Sequence, residues 1–214
     1  MTDLGQVILA DSGNDNIYDG AGNDTVFGGS GDDRFWAGAG ADSYVGGEGT
    51  KDEVLYQNSG TGLVIDMTNA ANSTGIAAGD TFDSIERVRG TNFADTIIAS
   101  DGVDIWDAKG GDDLLIDGGG LTFMQGGAGA DTFRFIAGDG QQDIIHDFEI
   151  GVDHIDLSLW GVTSFGQLSI TPRSAADGTP LGGVIIDFGG ESIRINNLNV
   201  ADVALLTEDN FVFV

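Results

Sequence analysis

Aspartate and glycine recur along this 214-residue chain at a fixed spacing that suits the binding of a hard cation through oxygen. Written in nines from residue 10, the first block reads ADSGNDNIY, DGAGNDTVF, GGSGDDRFW, AGAGADSYV and, with one extra residue near Lys51, GGEGTKDEVL. A second block from residue 90 reads GTNFADTII, ASDGVDIWD, AKGGDDLLI, DGGGLTFMQ and GGAGADTFR, ending at Arg134. The shared frame is G-G-x-G-x-D-x-U-x, with U a large apolar residue. Asp fills the sixth place in nine of ten units, and an apolar residue fills the eighth in all ten. Glycine-rich turns offer carbonyl oxygens and Asp offers carboxylates, and Ca²⁺ takes about six to eight such oxygens in tolerant geometry. The alternative is that Asp merely forms turns. Stacked carboxylates about 5 Å apart, however, repel by roughly 1–3 kcal/mol per pair. Several such pairs would consume much of the ~5–15 kcal/mol that holds a domain together. A divalent cation removes the repulsion and makes its binding energy part of the folding energy.

The elements that position these residues follow from the same period. The x-U-x triplet is a short strand whose middle side chain points to one face, which turns Ile17, Val26, Phe35, Tyr44 and Val54 inward in the first block. Ile97, Trp106, Leu115, Met124 and Phe133 are expected inward in the second, with Trp106 a core residue. The other six residues turn the chain, with glycine supplying backbone angles barred to other residues. Two nonapeptides make one coil of a right-handed parallel β-roll, an all-β fold in which turns one coil apart stack. The ninth places then face outward, yet the first block puts Tyr18, Phe27, Trp36, Val45 and Leu55 there. Ile98 and Ile116 do likewise in the second block, with Leu114 beside them. Partial cover by other segments, self-association or stacking on sugar rings would each account for such a face.

The repeats resemble the calcium-binding nonapeptides of the repeats-in-toxin (RTX) family of secreted proteases, lipases, toxins, alginate epimerase modules and S-layer proteins. Between the blocks, Gly62–Met67 and Gly79–Gly90 resemble the bridging sequence that such rolls place between two arrays. Asp143–Phe148 and Asp153–Ser158 resemble the strand pair that follows the roll. The resemblance implies sites in which one turn gives the carbonyls of places two and four plus its Asp. The turn one coil later gives places one and three plus its own Asp. Residue by residue, Asp11, Gly13 and Asp15 would meet Gly28, Ser30 and Asp33. Gly20, Gly22 and Asp24 would meet Ala37, Ala39 and Asp42. Gly29, Gly31 and Asp33 would meet Gly46, Glu48 and Asp52. In the second block Thr91, Phe93 and Asp95 would meet Ala108, Gly110 and Asp113. Lys109, Gly111 and Asp113 would meet Gly126, Ala128 and Asp131. Thr122 replaces the bridging Asp of its unit, which weakens the edge that includes Ser100, Gly102 and Asp104. Asp143 would close the last site. The implied load is several calcium ions, roughly six to eight.

Composition bounds the rest. Thirty-five acidic against eight basic residues give a formal charge of −27, so nucleic acid and anionic membrane surfaces are not expected partners. There is no cysteine and hence no disulfide or thiolate chemistry. No stretch approaches membrane-span length, so membrane insertion is not expected. Neither H-E-x-x-H nor G-x-S-x-G appears, and His146 and His154 are the only histidines, so the chain is expected not to be an enzyme. From residue 143 the glycine rhythm stops. Leu168–Thr171, Gly183–Phe188 and Ser192–Asn196 read as strands with a turn around Ala176–Pro180, a cap for the roll's open end.

The expected organisation is a first roll block over 1–56, a bridge over 57–89, a second block over 90–142 and a β cap over 143–214. The terminus Leu206–Val214 is similar to uncleaved type I secretion signals and also reads as a last edge strand. The expected function is a secreted or cell-surface, non-catalytic protein that folds on Ca²⁺ outside the cell and acts as a structural or adhesive element, with self-association as one mode. The alternative is a polysaccharide-binding or accessory module of a secreted protease, lipase or alginate epimerase whose catalytic domain lies elsewhere.

Overall fold

The computed structural model describes residues 4–174 and 180–214, leaving aside the side chains of Trp106 and Pro180. The nine-residue period becomes strands of mostly three residues separated by turns. Consecutive strands go to opposite sheets, so each pairs in parallel with the strand one coil away: Asn16, Ile17 and Tyr18 lie beside Arg34, Phe35 and Trp36. Thr25, Val26 and Phe27 lie beside Ser43, Tyr44 and Val45. The result is an all-β parallel β-roll whose helical content is confined to short 3₁₀ turns among the described residues.

One sheet runs the length of the molecule. It orders Asn16–Tyr18, Arg34–Trp36, Glu53–Leu55, Arg87–Arg89, Asp104–Asp107, Phe123–Met124, Gln142–Ile145 and Glu191–Ile195 as parallel neighbours. It finishes with Pro180–Phe188 and Ser169–Ser174, which are antiparallel. The opposite face is divided in two. Val7–Leu9, Thr25–Ser30, Ser43–Glu48 and Thr81–Asp83 make a four-stranded sheet. Val64–Asp66, Thr96–Ile98, Leu114–Ile116, Thr132–Arg134, His154–Asp156 and Phe211–Val212 make a six-stranded one. The bridging segment therefore supplies a rung to all three sheets: Val64–Asp66 opens one, Thr81–Asp83 ends another, and Arg87–Arg89 joins the two repeat blocks within the long one.

The expected inward residues form one continuous core. Val26, Val54, Ile97, Leu115, Met124 and Phe133 are fully buried, and Ile17, Phe35 and Tyr44 nearly so. In the second block Ile105, not Trp106, pairs with Val88 and Met124 at the core position, and the register shifts between Ile105 and Asp107. The unit is one residue short before its strand, and the bulge restores the frame afterwards. Trp106, expected in the core, has a side chain outside those described.

Of the outward ninth places, Tyr18 is 65% exposed and stacks on Trp36 with ring centroids 5.2 Å apart, whereas Leu55 is buried. After the roll, the expected strands appear as an antiparallel array on the end of the long sheet. The turn expected around Ala176–Pro180 lies mostly outside the described residues. Phe211 pairs beside Ile155, which makes the terminus a last edge strand.

Candidate metal centre

The turns are built where the frame puts them. Gly31, at a fourth place, has φ of +121°, and a Cβ there would lie 2.3 Å from the Gly13 carbonyl oxygen. A side chain is therefore excluded both by the backbone angle and by the coil beneath. Turns eighteen residues apart stack through Ser12 beside Ser30, Ala21 beside Ala39 and Gly110 beside Ala128. The Gly13, Gly22 and Gly31 amides donate to the carbonyls of Ser30, Ala39 and Glu48 at 2.7, 2.8 and 2.6 Å.

Sixth-place carboxylates line up inside these turns. All but Asp15 and Asp104 use one oxygen to accept a backbone amide from the coil before, most often that of its sixth-place residue. Asp15 N donates to Asp33 Oδ1 at 2.8 Å, Asp33 N to Asp52 Oδ1 at 2.7 Å, and Asp52 N to Glu86 Oε2 at 3.0 Å. On the other edge Gln6 N donates to Asp24, Asp24 N to Asp42 at 2.7 Å, and Asp42 N to Asp80 at 2.9 Å. In the second block Leu63, Asp95, Asp113 and Asp131 donate in turn to Asp95, Asp113, Asp131 and Asp153 at 2.7–2.9 Å. The second oxygen is then free for something else. Oδ2 of Asp24, Asp33, Asp52 and Asp113 and Oδ1 of Asp19 are buried without a hydrogen-bond partner. Buried polar atoms are rarely left so. A hard cation shared between facing turns fits them, with glycine carbonyls completing an oxygen set. Gly28 shows how closely the carboxylate closes on the turn: a Cβ there would lie 2.3 Å from Asp33 Oδ2 and 2.7 Å from the Gly46 carbonyl oxygen.

The sequence-derived residue sets come together to different degrees. Asp11, Gly13 and Asp15 face Gly28, Ser30 and Asp33, with Ser30 N donating to the Asp11 carbonyl at 3.2 Å. Gly20, Gly22 and Asp24 face Ala37, Ala39 and Asp42. Gly29, Gly31 and Asp33 face the turn of Gly46, Glu48 and Asp52, despite the extra residue at Lys51. Lys109, Gly111 and Asp113 face Gly126, Ala128 and Asp131, and Lys109 adopts a φ of +82° at the place where Gly20, Gly29, Gly47 and Gly127 also have positive φ. Thr91, Phe93 and Asp95 face the turn of Ala108, Gly110 and Asp113. Here Asp95 Oδ2 accepts the Thr91 amide at 2.6 Å, so this turn already satisfies both oxygens of its own carboxylate.

The Thr122 edge is built differently. Asp104 begins its strand instead of closing a turn and accepts the Phe123 amide at 3.1 Å. Gly102 N donates to the Gly119 carbonyl at 3.1 Å. Thr122 donates its amide to Asp143 Oδ1 at 3.0 Å, while its hydroxyl is buried without a partner.

Four carboxylates beyond the sequence-derived sets join the columns: Asp19, Asp80, Glu86 and Asp153. Three of them had a signal. Asp80-Thr-Phe-Asp, Glu86-Arg-Val-Arg and Asp153-His-Ile-Asp each carry the acid-x-U-x core of the repeat without its glycine turn. Asp19 stands at a first place, mostly Gly or Ala in the repeats; Asp117, the other acid at that place, has both oxygens taken by the Gly119 and Ile136 amides.

Electrostatics sharpen the case for a cation. Burial pushes the Asp113 carboxyl up to about 8, with the Asp131 and Asp95 charges adding to the rise and the Asp95 amide opposing it. Burial raises Asp80 to about 7, and Asp52 and Asp131 to about 6. Burial raises Asp33 and Asp42 as well. Desolvated like charges are held apart from their ionised state until a positive charge joins them. By contrast Asp66 in the bridge is lowered: burial raises it, but the Thr68 hydroxyl, the Asn72 side chain and the Thr68 and Asn69 amides outweigh that.

Comparison with known proteins identifies the repeats. The family profile of the RTX calcium-binding nonapeptide repeat matches four copies, over residues 9–44 and 80–115. The second stretch begins at Asp80, inside the bridge. No curated protein gives a significant match. Among solved structures, the chain is similar to the R2 subunit of AlgE6, a mannuronan C5-epimerase of Azotobacter vinelandii, at 23% identity and a TM-score of 0.38, covering 75% of this chain and 91% of that one. It is also similar to the extracellular lipase LipA of Serratia marcescens at 15% identity and a TM-score of 0.35, covering 91% of this chain and 40% of that one.

Proposed function

We propose that this chain, a carrier of RTX calcium-binding nonapeptide repeats, is a secreted, non-catalytic β-roll that stays unfolded where calcium is scarce and folds outside the cell as the ion fills its turns. The folded roll then serves as a structural or adhesive surface. The observation that carries this reading is the set of buried carboxylate oxygens left over after the backbone ladder is complete. Asp24, Asp33, Asp52 and Asp113 each have an amide for one carboxylate oxygen and no partner among the described residues for the other. With Ca²⁺ the column becomes a source of stability, because the ion binds the folded turns and not the separated ones. Circular dichroism tests the switch: the β signal of the millimolar-Ca²⁺ sample is expected to collapse in EGTA and return on adding calcium. An identical spectrum in both would exclude it.

A second reading, a module that binds polysaccharide, is favoured by the exposed Tyr18 ring stacked on the half-buried Trp36 on the long sheet. Aromatic faces of this kind suit sugar rings. Light scattering of the calcium-loaded protein across concentration separates the two readings. Ordered assembly supports the structural role. A strict monomer that is retained on a polysaccharide column, with retention lost in the Tyr18→Ser, Trp36→Ser double variant, supports the module.

A further inference from the structure

Asp19 occupies the first place of its unit, where the repeat frame has Gly, and it is 3% exposed. Its Oδ2 accepts the Tyr44 hydroxyl, while its Oδ1 is buried without a partner. Asp24 Oδ2, likewise, is buried without a partner. Asp19, Asp24 and Asp42, all buried, each bring one carboxylate oxygen within 4.8 Å of the other two. No other three acidic or His side chains among the described residues converge in this way. The floor of the cluster is bare backbone: a Cβ on Gly38 would lie 1.7 Å from the Gly20 carbonyl oxygen and 2.6 Å from Asp19 Oδ1.

We propose that Asp19 is an added ligand which turns the repeat-type site between the Asp24 and Asp42 turns into a three-carboxylate calcium site, the tightest in the chain and the one that fills first. The inference rests on the calcium reading above. A turn pair of the ordinary frame places two carboxylates around an ion, and the number of charged ligands is a main determinant of calcium affinity. Tyr44 supplies the positioning. It anchors Asp19 Oδ2 and lies 3.5 Å from Asp42 Oδ2, so it leaves Asp19 Oδ1 turned toward the neighbouring carboxylates. Since Tyr44 is itself a core residue, filling this site would fix the first coils of the roll in register.

The test uses the full chain and two variants. Asp19→Asn keeps an oxygen for the Tyr44 hydroxyl and removes the charge, and Asp19→Gly restores the residue of the frame. Calcium isotherms measured in competition with a chromophoric chelator should show one ion set apart by affinity in the parent. In Asp19→Asn that ion alone should weaken, by about tenfold or more, with the same circular dichroism at saturating calcium. With one equivalent of Eu³⁺, luminescence lifetimes in H₂O and D₂O should count one more bound water in either variant than in the parent. Isotherms that superimpose, or an unchanged water count beside a merely less stable protein, would overturn the proposal. Those outcomes leave the calcium switch standing, whereas a parent indifferent to EGTA removes both.

Discussion

At the scale of single residues, the buried carboxylates decide how the protein responds to pH. Asp113 is raised to about 8, Asp80 to about 7 and Asp52 and Asp131 to about 6, against about 3.9 for an unfolded Asp. Between those limits the folded calcium-free chain holds more protons than the unfolded one, so its stability falls as pH rises from about 4 to 8. Protons and calcium compete for the same oxygens. In calcium-free buffer the protein is therefore expected to be more structured near pH 4 than near pH 8. Because the calcium-free fold loses that stability, the calcium concentration at half-folding should not drop as pH rises from about 5 to 8, even though each ion binds the folded turns more tightly. Circular dichroism titrations at several pH values check both, and a midpoint that falls as pH rises would contradict the assignment. The sixth-place Asp residues were legible from spacing alone. Asp19 was not, because the first place is mostly Gly or Ala and carries no ligand side chain in the frame, and only the folded turn brings it to Asp24 and Asp42. Asp104 marks the opposite failure. Its place in the frame was right on paper, but a one-residue shortfall moved it onto the strand.

At the scale of the element, the turn is the unit that can be strained. Gly13 and Gly31 share similar positive φ angles, +112° and +121°, but only Gly31 has another coil beneath it. Gly13→Ala should cost the backbone term alone, about 1–3 kcal/mol. Gly31→Ala should cost more, since the added methyl meets the Gly13 carbonyl and the stacked turns must part. Thermal melts of the calcium-loaded proteins rank the two, and equal losses would mean that the stack relaxes freely. Lys109 offers the converse. It adopts φ of +82°, as Gly20, Gly29, Gly47 and Gly127 do at the same place, and left-handed geometry costs a side-chain-bearing residue about 1–2 kcal/mol. Lys109→Gly should raise the melting temperature, despite losing the 4.0 Å ion pair with Asp107. The frame made the turns predictable. It could not reveal the bulge at Ile105–Asp107, which follows from pairing with Val88 and Met124 on either side.

At the scale of the molecule, the long sheet passes from one repeat block to the other through Arg87–Arg89. That strand pairs with Glu53–Leu55 on one side and Asp104–Asp107 on the other. Val88 at its centre is fully buried. The two blocks should therefore melt as one. Calorimetry of the calcium-loaded protein is expected to give a single transition, and Val88→Pro, which removes a ladder hydrogen bond in mid-sheet, is expected to divide it or lower it as a whole. Two transitions in the parent would show that the blocks fold independently. Sequence spacing showed two arrays and a bridge between them. It did not show that the bridge is structurally a set of rungs, since its strands carry the apolar alternation without the glycine turns that made the repeats visible.

The eighteen-residue register also fixes how such a chain can change length. Successive nonapeptides belong to opposite sheets, so the loss or gain of a single one would transpose every later strand to the wrong face and set each later carboxylate against the wrong edge. Removing a matched pair would leave all later partners where they were. The indivisible quantum of inheritance in this molecule is thus the full coil, and duplication or loss should be tolerated in even counts of the repeat that is visible in the sequence.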